Sequence, residues 1–323
     1  MNRQMENRAQ GLRKIPELLL QYNTIIIFVV LFVVSVCLSD RFLTPMNVFN
    51  LLRQNAGLMM LAMGMLAVIL TGGIDLSVGA QVALCSVLSG YFLMNQGMPP
   101  SLALVLTIGC SLVIGLVEGY FVAYRKMAPF VVTLAFMTIS RGLAYIISKG
   151  TPIRIKVDSV LQYGAGSFLD VPYPVWTAAL VVIAMIFILR FTVYGRFIKA
   201  IGANENAVRL SGIRVNTYKA STYMLSAVFC ALAGFISMAR SGVGSPIIGE
   251  GLESDAIAAV VIGGASLAGG KGTALSALLG VCILAMIGNV MNLVNIASYP
   301  QQVIKGCIIL AAVFMHGLQT RKS

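Results

Sequence analysis

Charge is the scarcest property of this chain. Asp, Glu, Lys and Arg make up 11% of its 323 residues, where a soluble domain carries about 25%. Hydrophobic residues reach 58% and the mean hydropathy is +0.90. No soluble fold hides that much apolar surface, so the chain reads as a polytopic membrane protein. Histidine is almost absent: His316 stands alone, which excludes His-based metal and acid–base motifs such as HExxH, and no GxSxG is present. The six cysteines (Cys37, Cys85, Cys110, Cys230, Cys282, Cys307) form no CxxC and all lie in apolar stretches. They read as small core residues with free thiols rather than ligands, so no metal is expected. A phosphate loop is missing too. The stretch 264–273, GASLAGGKGT, has Ala265 and Gly272 where GxxxxGK[ST] needs Gly and Ser or Thr. ATP-driven work would have to use a separate subunit, and no enzyme activity is expected of this one.

What the chain has is apolar runs. A bilayer core about 30 Å thick takes about 20 residues of helix. On that measure spans are expected near 24–39, 56–71, 80–96, 101–124, 130–148, 174–190, 218–240, 256–270, 273–294 and 300–316. The expected fold is therefore all-α, with about ten transmembrane helices and a weak two-fold internal repeat. It divides into a cytoplasmic N-terminal segment 1–23, a membrane domain 24–316 and a cytoplasmic tail 317–323. The run after Arg3, Arg8, Arg13 and Lys14 lacks a small-x-small cleavage pattern and reads as the first span, not a signal peptide.

Net charge is +12, and its distribution sets topology. With the N-terminus inside, fifteen of the 23 Lys and Arg fall in inside segments, six outside and two within spans. Positive charge collects on the cytoplasmic side, so both termini are expected there. The longest inside loop, about 191–217, reads RFTVYGRFIKAIGANENAVRLSGIRVN. Asn204 is a candidate N-cap, and residues 201–213 are short enough for one helix with glycines at its edges. The outside loop 149–173, with Pro152, Gly164, Gly166 and Pro172, looks irregular.

The repeat is glycine-rich. Residues 72–79 (GGIDLSVG) and 263–270 (GGASLAGG) share Gly-Gly-x-x-Leu-x-x-Gly, each after an apolar run. Paired breaks of this kind point to a transport pathway or gate; close packing through small residues is the plainer alternative. The candidate pathway residues are Gly72, Gly73, Asp75, Ser77 and Gly79 with Gly263, Gly264, Ser266, Gly269 and Gly270. Acid at membrane depth is costly. Asp75, in the first break, reads either as a gate residue or as a helix cap near an interface. Glu118 reads as snorkelling toward Arg125 and Lys126.

Four stretches resemble the permease subunits of bacterial ABC importers of the ribose/arabinose/galactose type. They are LTGGIDLSVGA at 70–80, APFVVTLAFMTISRGLAYIISKGTPI at 128–153, IGANENAVRLSGIRV at 201–215 and DAIAAVVIGGASLAGGKGT at 255–273. The similarity runs over about 40–316. It implies an inner-membrane homodimer passing a small neutral sugar inward by alternating access. A cytoplasmic ATPase using ATP-Mg and a periplasmic sugar-binding protein would complete it, with no cofactor on this chain and no nucleic acid partner. Gly202, Ala203, Asn204, Glu205, Ala207, Arg209, Leu210, Ser211 and Gly212 match the segment taken to meet the ATPase. Gly72, Gly73, Asp75, Leu76, Ser77 and Gly79, and Gly263, Gly264, Leu267, Gly269, Gly270 and Gly272, match the two membrane signatures. Glu118 departs from the pattern, since related chains often carry Asn before the Gly. The rival reading is an ion-coupled secondary transporter using Asp75 and Glu118 as relays.

Overall fold

The structure is a computed structural model that describes residues 23–320; of the cytoplasmic segments expected at 1–23 and 317–323, residues 1–22 and 321–323 lie outside the described residues, while Asn23 and 317–320 belong to the terminal helices. Its helices are α1 (Asn23–Leu38), α2 (Pro45–Leu70), α3 (Val78–Met94), α4 (Pro100–Ala123), α5 (Pro129–Ser148), α6 (Asp158–Ala165), α7 (Tyr173–Phe191), α8 (Val193–Ala203), α9 (Glu205–Leu210), α10 (Val215–Ser241), α11 (Leu252–Ile262), α12 (Ala274–Leu293) and α13 (Ser298–Thr320). Proline opens α2, α4, α5 and α7 at the first or second position. There its fixed φ suits the helix and its missing N–H is no loss. Six helices among the described residues (α2, α4, α5, α7, α10 and α12) are long and apolar enough to cross a membrane, and α1 and α3 are shorter apolar helices.

Three expectations change. The second span starts at Pro45, eleven residues before the expected 56, because α2 continues through the polar stretch Asn47–Asn55. The helix expected over 256–270 is only α11, Leu252–Ile262. Its eleven residues rise about 16 Å, half a bilayer core. Gly264, at φ +89°, stops it. The 149–173 loop, expected to be irregular, is ordered: it holds α6 and three short strands that take part in two antiparallel pairings. In these, β1 (Ile153–Arg154) pairs β4 (Val243–Gly244), and β2 (Ser167–Phe168) pairs β3 (Val171–Pro172).

The core sits around α2 and α10, which are buried along most of their length, while α4 and α5 are largely exposed. Backbones approach closely where side chains vanish. A Cβ on Gly64 of α2 would lie 2.9 Å from Ser226 Cα, and one on Gly115 or Gly119 of α4 would lie 2.7 Å from a carbonyl oxygen of α10. Small residues at helix crossings substitute for the hydrophobic drive that lipid removes. After α10 the chain does not turn away. Residues 242–251 run in irregular backbone along α3, with Ser86 Oγ 3.2 Å from Ser245 O and Arg141 donating to Ile248 O at 3.1 Å. They lead into α11.

Candidate functional site

The first glycine break dips into the protein. After α2 ends at Leu70, Gly72 takes a left-handed φ of +77°, and Asp75 arrives fully buried between α3, α4 and α10. Asp75 Oδ2 accepts from Ser226 Oγ at 2.9 Å. Ser226 is the twelfth of the 27 residues of α10, near that helix's middle. Asp75 Oδ1 accepts from Ser77 N at 3.0 Å and Ser77 Oγ at 2.5 Å. Thus Asp75 braces the turn that leads into α3, as the cap reading expected of its carboxylate, but buried in the protein.

The network extends sideways. Gln81, in the first turn of α3, donates from Nε2 to Ser77 Oγ at 2.7 Å and to Glu118 Oε2 at 3.1 Å. Ser111 donates to Ala227 O at 2.8 Å and lies 3.2 Å from Gln81 Oε1. Glu118 is fully buried and belongs to none of the three ion pairs among the described residues. The expected snorkelling toward Arg125 and Lys126 does not occur. Glu118 shares its helix face with Ser111 and Gly115, and that face packs on α10, pointing the carboxylate into the protein. Sequence reasoning missed Gln81, Ser111, Tyr223 and Ser226. The signal for Ser111 was its four-residue spacing from Gly115 and Gly119 on a face shared with Glu118.

The second break and the basic loop meet the first break at one point. Gly270 N donates to Leu70 O at 3.0 Å. A Cβ on Gly269 would lie 2.9 Å from Gly202 Cα and 3.0 Å from Gly72 N. A Cβ on Gly270 would meet Ala203 N at 2.8 Å. Gly202, at the end of α8, is wedged against the Leu70 carbonyl and the Gly269–Gly270 backbone. Ser266 and Lys271 close the small loop between them, Ser266 N donating to Lys271 O at 2.9 Å. Gly263 packs on Ser276 of α12, Gly272 on Ala265, and Gly79 on Gly249 and Glu253. Gly73 stands against the Tyr223 hydroxyl. Gly264 is exposed.

The 201–213 segment is two helices, not one. Asn204 leaves the helical region at φ −160° and its side chain accepts from Ala207 N at 3.0 Å. It therefore caps α9, as its sequence suggested, and breaks α8 from α9. Glu205 accepts from Arg209 at 2.6 Å and Lys219 at 2.9 Å, and Ser211 Oγ donates to Ala207 O. Leu210 is 89% exposed at the tip. Gly212, at φ +78°, ends the unit in open space. Burial works against the Glu205 charge, but the hydrogen bonds from Lys219 and Arg209 outweigh it and hold this carboxyl below the usual glutamate range. The stability it gives is complete above the ordinary glutamate range and lost as pH falls through the lowered value. Because the pair is about one-third exposed, the effect is small, about 1 kcal/mol or less. Asn204→Ala should cost more, about 1 kcal/mol of cap, read as faster amide exchange over 205–211 with the membrane helices unchanged.

Comparison with known proteins follows this geometry. The family model described as "Branched-chain amino acid transport system / permease component" matches residues 47–313. The chain is 43% identical over 291 residues to "Ribose import permease protein RbsC" of Bacillus subtilis (strain 168), covering 90% of each chain. It is 39% identical over 302 residues to the protein of that name in Escherichia coli (strain K12), covering 92% of this chain and 94% of the relative. It is 32% identical over 346 residues to "Xylose transport system permease protein XylH" of Escherichia coli (strain K12), covering 88% of each. No solved structure matches.

Proposed function

Because this chain belongs to the branched-chain amino acid transport system / permease component family, we propose that it is the membrane subunit of an ATP-driven importer of a small neutral sugar, a pentose or hexose, with ribose the first candidate. The observation that carries the reading is the near full-length similarity to ribose and xylose permeases. The transporter comprises two copies of this chain, a cytoplasmic ABC ATPase that holds ATP-Mg, and a periplasmic sugar-binding protein. Both termini lie in the cytoplasm. Ten passages cross the inner membrane, with α11 completing its passage through the non-helical stretches on either side.

Alternating access follows from the parts. The α8–α9 unit presents Leu210 and the Glu205–Arg209 pair outward for the ATPase. Movement of α8 reaches Leu70, Gly269 and Gly270 through Gly202, without an intervening side chain. Leu70 ends the helix that leads into the first break and Gly270 closes the second break, so both breaks shift together and open the passage alternately to each side. Sugar affinity resides mostly in the binding protein, and a tight site in the membrane would oppose release.

Reconstitution in proteoliposomes with the ATPase and binding protein tests this. Uptake of labelled ribose should require all three components and hydrolysable ATP. Uphill uptake by this chain alone, driven by a proton or sodium gradient, would overturn the reading in favour of an ion-coupled transporter. Glu205→Arg should lower ATPase association or uncouple hydrolysis from uptake, and leave binding-protein docking intact; unchanged coupling would move the contact elsewhere.

A further inference from the structure

Two carboxylates sit in the buried network with no cation to balance them. Asp75 and Glu118 both have zero exposure, and the ion pairs among the described residues involve other acids, Glu205 and Asp255. The titratable groups around them are Tyr223 and Cys230 from α10 and Cys85 from α3, none of them basic. Cations on the packed helices are engaged elsewhere: Lys219 of α10 bonds Glu205, and Arg141 of α5 bonds the Pro246 and Ile248 carbonyls; Arg125 and Lys126, just past the end of α4, are exposed. Two uncompensated negative charges in a dry interior are untenable, because such groups neutralise instead.

The hydrogen bonds say which acid is which. Asp75 receives three donors, and its bond from Ser77 Oγ, at 2.5 Å, has the length of a hydroxyl bound to an ionised carboxylate. Glu118 receives one donor, on Oε2 from the Gln81 amide at 3.1 Å. Its Oε1 has no partner at all, and the buried Tyr223 hydroxyl beside the break is likewise unpartnered. An acceptor-only carboxylate oxygen left bare in the interior is costly, whereas the same oxygen carrying a hydrogen has a donor to offer.

We propose that the Asp75–Gln81–Glu118 network is a proton-binding site, with the proton resident on Glu118 Oε1 and Asp75 remaining the anion. The pair then carries one negative charge, spread over donors from three segments, in place of two. The proton stabilises the fold at the crossing of α3, α4 and α10, and it stays bound without any transport cycle. The site is therefore independent of whether the importer is driven by ATP.

The test uses the full chain in lipid nanodiscs. Infrared spectra at neutral pH should show the C=O stretch of a protonated carboxylic acid. It should be absent in Glu118→Gln and retained in Asp75→Asn. No such band in the wild type, or a band that survives Glu118→Gln, overturns the proposal. Melting curves give a second reading. Glu118→Gln reproduces the neutral acid in shape, so it should melt at or above the wild-type temperature. The wild type should lose stability as pH rises from the ordinary glutamate range through neutral, because unfolding releases the held proton, while Glu118→Gln should lack that part of the fall. A Gln variant that fails to fold overturns the proposal. So does a wild-type melting temperature that climbs with sodium or potassium chloride but not choline chloride, since a metal cation would then be the occupant.

Discussion

Gly202→Val abolishes sugar uptake, and Gly212→Asn leaves it within about twofold. Both glycines flank α9 and look equivalent in sequence, yet their surroundings are opposite. A Cβ on Gly202 overlaps the Leu70 carbonyl oxygen and the Gly270 nitrogen, and it lies 3.0 Å from the Gly269 carbonyl carbon. All three are backbone, so no rotamer change relieves the clash. Overpacking of this kind costs about 1–3 kcal/mol and more when backbone must shift. It falls where the two breaks and α8 converge, so the loss should appear as ATP hydrolysis that no longer depends on loaded binding protein. At Gly212 nothing lies within 4 Å and the φ of +78° is one that Asn tolerates. The pair of variants is compared by uptake and by stimulated ATPase activity at matched membrane levels. Equal behaviour of the two would remove Gly202 from the coupling path.

Asp75→Asn lowers uptake about tenfold or more while the amount of chain in the membrane changes less than twofold. Removing a charge eases insertion, so a shortage of inserted protein does not explain the loss. The Asn amide nitrogen must face either the Ser77 donors or Ser226, where Asp75 now accepts from both sides. One donor then meets a donor, and the forfeited charge-assisted bond is worth about 1.5–3 kcal/mol. Ser226→Ala removes a single donor and should give an intermediate loss. Uptake and surface quantitation on the same vesicles separate the two effects. Wild-type uptake by Asp75→Asn would reduce Asp75 to a helix cap.

Hydropathy located nearly every long helix within a few residues, because each is an apolar run and most have Pro or Gly at one end. It failed where membrane and sequence signals part. The start of α2 carries Asn47, Asn50, Arg53, Gln54 and Asn55, which read as loop. Thr44-Pro45 was the better signal, since Pro belongs at a helix's first position. At α11 the small residues after Ile262 read as more helix, and only the consecutive Gly263 and Gly264 hinted otherwise. The Asn204 cap was legible because capping is local. The partners of Glu118 were not, because Gln81 and Glu118 are 37 residues apart and Asp75 and Ser226 are 151 apart. A hydropathy profile says how deep a residue lies and nothing of which neighbour it faces. The convergence of Gly202 with both breaks was equally hidden: glycine leaves no pattern to match, only the room for backbone to meet backbone.

The shortness of α11 reaches beyond the chain into the bilayer. On the ten-passage reading, half of that passage is non-helical, and acyl chains offer bare amides and carbonyls nothing in return. The stretch after α11 bonds its backbone inward instead: Ala265 N donates to Val260 O, Ser266 N to Lys271 O and Gly270 N to Leu70 O. Irregular chain on that reading is sheltered by the protein itself, so α11 stays short without offering lipid a row of unpaired backbone groups.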